Sequence, residues 1–252
     1  MEKYIEFAEK MAKVSAEVIL SYYNSDFAVD IKEDNSPVTI ADKRAEKLMR
    51  DMIIEKFPDH GIIGEEYGEY NKDAEYTWVL DPIDGTKSFV NRVPLFGTLI
   101  ALMKNNKPVL GVINLPVLQE LIIGAVSRPT TFNGKEISVN NTVSLKDSLL
   151  LCTDLLDVEK YQNLESFLSL AKQVKLYRNW GDCYMYSMLA RGLADIAIDP
   201  VMNYWDIQAL VPIIQGAGGI ITDYQGNTVN EESTSIIASS SGLHSQVVKL
   251  LN

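Results

Sequence analysis

Tyr4, Ile5, Ala8, Met11, Ala12, Ser15, Val18, Ile19 and Tyr22 return at intervals of three and four. That is the period of one helix face, so the chain is expected to open on a long amphipathic helix covering one side of a sheet. A strand is predicted near residues 29–32 and a turn at Asn35-Ser36-Pro37. A second helix follows from about Ile40 to Phe57, capped by Thr39 and ended by Pro58. Residues 76–80, 98–103, 109–114 and 121–126 read as strands, with Asn105-Asn106-Lys107-Pro108 turning one antiparallel pair. Residues 127–140 are polar and contain Asn133-Gly134, a hairpin signal, so a subdomain boundary is placed near residue 127. Beyond it a strand at 149–153, a helix at 158–172, a strand at 175–178, a helix at 182–191 and a strand at 194–199 alternate. A helix at 205–215 closed by Gly216-Ala217-Gly218-Gly219, strands at 220–223 and 235–239, and a last helix from Leu243 complete the pattern.

The 252 residues, 46% of them hydrophobic, suit one compact unit or two closely joined halves and exclude disorder, collagen and coiled coil. Against 34 acids stand 23 Lys and Arg, a formal charge of −11, which gives no reason to expect a nucleic-acid or anionic-membrane partner. A negatively charged substrate therefore needs a local device. Residues 1–13 mix acids, lysines and apolar residues, unlike a secretory signal. The most apolar stretch, 109–126, is interrupted by Asn114, Pro116, Gln119 and Glu120, unlike a spanning helix. Cys152 and Cys183 are the only cysteines and have neither metal nor redox spacing, so a soluble cytoplasmic protein is expected.

The densest chemical signal is Trp78-Val79-Leu80-Asp81-Pro82-Ile83-Asp84-Gly85-Thr86. An apolar strand ends at a proline between two aspartates, which leave the sheet edge together. Their carboxylates and the Ile83 carbonyl are hard oxygen ligands of the kind that suits Mg²⁺. Gly85-Thr86 opens a short helix whose first backbone N–H groups can take phosphate oxygens. Gly61-Ile62-Ile63-Gly64-Glu65-Glu66 is a second acidic element; taken alone it reads as a solvated loop, although one glutamate can reach a metal. Asp42 and Asp206 stand in first helical turns, where either alone reads as an acid favoured by the helix dipole. Asp206, between Trp205 and an apolar run, needs a partner or a cation if it faces inward. His60 and His244 fall outside these motifs and suit surface or packing roles.

Four separated motifs resemble the inositol monophosphatase superfamily of Mg²⁺-dependent phosphatases, in its order and roughly its spacing. They are Ser36-Pro37-Val38-Thr39-Ile40-Ala41-Asp42, Gly64-Glu65-Glu66, Asp81-Pro82-Ile83-Asp84-Gly85-Thr86, and Trp205-Asp206 followed by Gly216-Ala217-Gly218-Gly219. The resemblance implies an α/β fold, the layered α-β-α-β-α sandwich of the inositol monophosphatase / fructose-1,6-bisphosphatase type. Most metal ligands would lie in an α+β subdomain, 1–126; Asp206 and the substrate-recognition residues would lie in an α/β subdomain, 127–252. It further implies a homodimer and two or three Mg²⁺ per site, held by Glu65, Asp81, the Ile83 carbonyl, Asp84 and Asp206. Asp42 and Thr86 would orient and deprotonate the attacking water, with Glu66 nearby, while the amides of Gly85 and Thr86 hold the phosphate. The reaction would be hydrolysis of a small-molecule phosphomonoester by metal-activated water attacking in line. No aspartyl-phosphate, Cys-Arg or phosphate-loop nucleotide motif is present.

Lys87-Ser88-Phe89 after the Asp-Gly-Thr motif and Gly181-Asp182-Cys183-Tyr184 resemble the histidinol-phosphatase branch. Gly181, Asp182, Cys183, Asp199 and Arg178 are accordingly the expected substrate residues; Asp182 and Asp199 would give an acidic pocket suited to a cationic amine, while Arg178 equally suits a surface ion pair. Asp199 equally suits a sugar or inositol hydroxyl. An inositol, sugar-phosphate or NADP phosphatase is the alternative. A catalytically weak regulatory binding protein is a third reading; it would lack a metal carboxylate or the threonine, and none is missing.

Overall fold

The helical period at the start forms α1 (Glu2–Tyr23), which buries Tyr4, Ala8, Met11, Ala12, Ser15 and Ile19. The computed structural model describes residues 1–25, 29–31 and 37–252. A short antiparallel pair, β1 (Val29–Ile31) and β2 (Pro37–Thr39), leads into α2 (Ile40–Lys56). The turn expected at Asn35-Ser36, and Lys32 before it, lie outside the described residues. Thr39 caps α2 as expected. Its hydroxyl accepts the Ala41 N–H at 3.1 Å, and Asp42 accepts the Thr39 N–H at 2.8 Å, a reciprocal box that satisfies orphan donors of the first turn.

The next stretch builds one sheet from β3 (Gly61–Gly64), β4 (Gly68–Tyr70) and β5 (Tyr76–Asp84), then, after the short α3 (Thr86–Val90), β6 (Gly97–Lys104), β7 (Lys107–Leu115) and β8 (Glu120–Ala125). A last hairpin, β9 (Thr131–Phe132) and β10 (Lys135–Glu136), completes eight strands in the order β10-β9-β8-β7-β6-β5-β3-β4. All neighbours are antiparallel except β3 and β5. The segment read as an acidic loop is therefore a strand pair, β3 and β4, on the edge of the sheet. The Asn133-Gly134 hairpin also joins this sheet, so the change of sheet falls after Glu136 rather than at residue 127.

The second sheet comprises β11 (Leu149–Cys152) and, after α4 (Leu155–Tyr161) and α5 (Leu164–Ala171), β12 (Leu176–Arg178). It continues through α6 (Asp182–Ala190), β13 (Ile196–Asp199), α7 (Tyr204–Ile207), α8 (Leu210–Gly216), β14 (Gly219–Thr222), β15 (Ile236–Ser240) and α9 (His244–Leu251). The order is β12-β11-β13-β15-β14: β11 runs parallel to both neighbours, β15 antiparallel to both of its own. Two predicted helices are broken. The first stops at Gln162 because Asn163 recaps the chain, accepting the Ser166 N–H at 2.9 Å. The second divides into α7 and α8 at Gln208-Ala209.

The layers run α1 and α2, first sheet, α6 and α8, second sheet, α5 and α9, the expected five-layer sandwich. Alternation along β5 explains why both faces of the first sheet are covered. Trp78 and Leu80 enter the core beneath α1 and α2, while Val79 enters the core shared with α6 and α8. Among the described residues no helix is long and apolar enough to cross a membrane.

Candidate active site

Asp81 and Asp84 are three positions apart, which in a regular strand puts side chains on opposite faces. The register shows how they come together. Asp81 faces Leu99 and Asp84 faces Gly97, so three steps on β5 match two on β6. The extra residue is a bulge at Pro82-Ile83, which returns Asp84 to the face of Asp81. Hydrogen bonds fix it: Thr98 Oγ1 donates to the Pro82 carbonyl at 2.9 Å, and the Ile83 N–H donates to Asp81 at 3.0 Å. Thr86 Oγ1 donates to the Ile83 carbonyl at 3.0 Å, leaving that oxygen one further lone pair.

The other half supplies Asp206. It sits at the third position of α7 and accepts the Asn203 N–H at 2.7 Å, the same capping arrangement that holds Asp42 on α2. One carboxylate oxygen each from Asp81, Asp84 and Asp206 lies within 4.8 Å of the others. Asp84 also accepts the Cys183 N–H at 2.5 Å, so a carboxylate of the first sheet caps the N-terminus of α6 between the sheets. Gly85 has φ +85°, and a Cβ there would come within 2.9 Å of Asp182; only glycine turns the chain this closely past the second half.

The cleft between the halves encloses about 420 Å³ and is lined by Glu65, Asp81, Asp84, Thr86, Asp182 and Asp206, among others. A larger groove of about 600 Å³ runs along α1, where Lys13 pairs with Glu9 at 2.6 Å. Burial pushes the Asp81 carboxyl well above the usual carboxylate range, and the nearby Glu65, Asp84 and Asp206 push it further. Asp81 is hydrogen-bonded to both Glu65 and Asp206, contacts that need a shared proton or an intervening cation. Burial also raises Asp84 well above that range, with Asp182 and Asp206 adding to it, and pushes Asp206 up to about 7. Crowded hard oxygen donors of this kind fit a divalent cation, which neutralises what protons otherwise must.

The expected residues do not all share one wall. Glu65, Asp81, Ile83, Asp84, Gly85, Thr86, Gly181, Asp182 and Asp206 line the cleft. Cys183 and Asp199 line a smaller inner pocket of about 80 Å³ with Asp84, Asp182 and Asp206. Asp199 is buried, accepts from Tyr186 Oη at 3.1 Å and is hydrogen-bonded to Thr153; burial pushes it up to about 7. Cys183 turns its thiol inward against Gly97 and offers its N–H to Asp84. Asp42 and Glu66 are not among the residues lining the cleft, although Asp42 lies near Glu65, which is. Asp42 is buried, bonded to the Thr39 N–H and hydroxyl, and pushed up to about 6 by burial, with Glu66 and Glu65 nearby. Arg178 is exposed, bonds the Tyr177 carbonyl and lies outside the cleft. Both histidines pack: His60 stacks on Phe57 and Tyr76, and His244 lies buried between Thr222 and Ser239.

Across residues 1–252 the chain matches the model of the inositol monophosphatase family. The chain belongs to that family. It is a phosphatase, as its relatives in the family are. The bifunctional phosphatase IMPL2 of Arabidopsis thaliana is 41% identical over 100% of this chain and 75% of its own length. A histidinol-phosphatase of Chlorobaculum parvum is 38% identical over 88% of this chain and 85% of its own. An inositol monophosphatase from Zymomonas mobilis superposes with a TM-score of 0.88 at 37% identity, covering 99% of this chain and 98% of the other.

Several cleft residues of this family member were given no site role from the sequence, Lys87 and Ser88 among them although they stand in the Lys87-Ser88-Phe89 motif. Lys87 is the one cation among the described residues lining the cleft, and its charge holds Asp182 down against a burial that pushes it up to about 6. Ser88 Oγ donates to Asp182 at 3.4 Å. Thr153 Oγ1 accepts the Asp182 N–H at 3.0 Å, and Asp154, Asp157 and Asn179 complete the outer wall. The signal for Thr153 and Asp154 was their place just past the end of β11, where sheet strands release side chains toward ligands.

Proposed function

We propose that the chain is a Mg²⁺-dependent histidinol-phosphate phosphatase. The observation that carries this reading is the pairing, in one cleft, of the Asp81-Asp84-Asp206 cluster with a second acidic group, Asp154, Asp157 and Asp182, across the Gly85-Thr86 turn. The best occupant joins a phosphate dianion to a cationic amine, the first meeting the metal end and the second the outer acids. Relatives named histidinol-phosphatase support it. A neutral polyol would leave Lys87 as the one positive charge among the described residues lining the cleft to face those acids.

Glu65, Asp81, Asp84, Asp206 and the Ile83 carbonyl would hold two or three Mg²⁺. When bound, the ions supply charge stabilisation of the phosphoryl oxygens. The amides of Gly85 and Thr86 take phosphate oxygens, and Lys87 adds positive charge at the same turn. Thr86 orients the attacking water and Asp42 receives its proton, with Glu66 beside it. Asp182, held by Ser88 and Lys87, takes the amine. The thiols of Cys152 and Cys183, buried and unpaired, are compatible with a cytoplasmic home, and a homodimer is part of the proposal.

A second reading, an inositol or sugar monophosphatase, is favoured by Asp199 and Thr153, whose oxygens suit a hydroxyl, and by the likeness to the Zymomonas enzyme. Measuring kcat/KM for histidinol phosphate and inositol 1-phosphate at saturating Mg²⁺ separates the two. A preference of at least ~10-fold for histidinol phosphate supports the first; equal values or the reverse overturn it.

A further inference from the structure

Glu46 lies one helical turn beyond Asp42 on α2, and its side chain is fully buried. It is not a cleft residue. Its Oε2 accepts the Glu66 N–H at 2.7 Å, and its Oε1 accepts the Tyr67 N–H at 3.1 Å. Arg50, a further turn along, donates to Glu46 Oε1 at 3.1 Å and to the Gly68 carbonyl at 2.9 Å. The turn at 65–67 that joins β3 to β4 is thus held by its backbone from both ends, by one pair of side chains on α2. Gly64 is the opening through which the carboxylate enters: a Cβ there would lie 2.0 Å from Glu46 Oε1. Glu65 begins this turn, and its N–H bonds the Leu80 carbonyl at 3.2 Å, beside Asp81.

A buried carboxylate one turn from the buried Asp42 is an expensive way to fill space, and an apolar side chain would fill it more cheaply. What an apolar chain lacks is two acceptor oxygens aimed at consecutive N–H groups. We propose that Glu46, with Arg50, is a positioning residue that fixes the Glu65-Glu66 turn where Glu65 reaches the metal cluster. One helix then sets both Asp42 and Glu65 against the aspartates of β5. The proposal rests on Glu65 being a metal ligand, as read above.

The test is calorimetric titration of Mg²⁺ into the full chain and into three variants, with substrate KM measured at saturating Mg²⁺. Glu46→Gln replaces one acceptor by an amide that opposes an N–H. Gly64→Ala keeps the charge but pushes the carboxylate aside. Glu65→Gln reports on the ligand itself. Losing an outer partner of a metal ligand weakens metal affinity by about 10–100-fold. We expect a rise of at least ~10-fold in the Mg²⁺ dissociation constant for Glu46→Gln and a rise for Gly64→Ala, with KM unchanged. Wild-type affinity in folded Glu46→Gln and Gly64→Ala, beside a Glu65→Gln that has lost affinity, overturns the positioning role and leaves the metal reading standing. Wild-type affinity in Glu65→Gln overturns Glu65 as a metal ligand and this proposal with it, and leaves the Asp81-Asp84-Asp206 site standing. If Glu46→Gln does not fold, Gly64→Ala decides by the same comparison.

Discussion

Replacing Asp84 by asparagine removes one charge from the cluster and keeps an oxygen of the same reach. In the wild type Asp84 accepts the Cys183 N–H at 2.5 Å, and an oxygen of it lies within 4.8 Å of one from Asp81 and one from Asp206. The amide oxygen preserves the first arrangement, so α6 stays capped; the second loses the charge that holds a cation. Removing one major electrostatic stabiliser costs about 10²–10³-fold in kcat, or about 2.7–4 kcal/mol. That is the loss expected in phosphate release at saturating Mg²⁺. Stability gives a second readout. A ligand that binds only the folded state stabilises it by about 2.7 kcal/mol at a hundredfold excess over its dissociation constant. At about 2–4 °C per kcal/mol for a chain of this size, the wild-type Tm should rise by about 5–10 °C. In Asp84→Asn most of that rise should vanish, while the metal-free Tm stays at or above wild type because a repelling carboxylate is gone. The assay is a thermal melt with Mg²⁺ titrated against choline chloride at fixed ionic strength. Wild-type turnover in the folded variant, or an undiminished Mg²⁺-dependent rise, would refute the reasoning.

Asp182→Asn keeps a residue type that tolerates the φ of +52° at this position and removes the charge beside Ser88 and Lys87. It should lower kcat/KM for histidinol phosphate by at least ~5-fold more than for inositol 1-phosphate, and equal losses would remove Asp182 from amine recognition. Thr39→Ala deletes the hydroxyl that bonds Asp42 at 2.6 Å and caps α2; a stability loss of about 1 kcal/mol in urea melts is expected, with kcat falling while KM holds. Burial pushes His244 down to about 4 from an ordinary value of 6.5. Its contribution is complete above pH 6.5 and is lost as the pH falls toward 4, because the unfolded chain binds the proton first. Acidification from pH 7 to 5 should therefore cost wild type about 2 kcal/mol more than His244→Asn, and parallel pH dependences in the two proteins would contradict this.

The metal end of the site was legible because its residues cluster in short motifs. Asp81, Ile83, Asp84, Gly85 and Thr86 lie within six positions, and a proline and a glycine mark the chain's departure from the strand. What the spacing concealed was the bulge, since three positions along an ideal strand separate Asp81 from Asp84. Strands β3 and β4 were missed because each is only three or four residues long and the acids between them read as solvent-facing. Glu46 was invisible for another reason: a glutamate within a helix reads as surface, and only the tertiary fold brings it under Gly64. The alternation after residue 149 correctly suggested helices between strands but not the reversal of β15, because period alone does not fix strand direction. Among the expected substrate residues, the structure brings Asp182 to the cleft and leaves Arg178 outside it, a difference decided by where β12 ends and α6 begins.

The proposed activity requires the Asp81, Asp84 and Asp206 carboxylates to hold cations at the cleft floor. Diffraction from crystals soaked in Mn²⁺, an ion with the same oxygen preference and a usable anomalous signal, tests it most directly. Anomalous peaks within about 2.5 Å of oxygens of Asp81, Asp84 and Asp206, with Glu65 or the Ile83 carbonyl completing the coordination, are the predicted result. Crystals of an Mn²⁺-active enzyme with no peak at these residues, or with the ion bound only elsewhere, would contradict it.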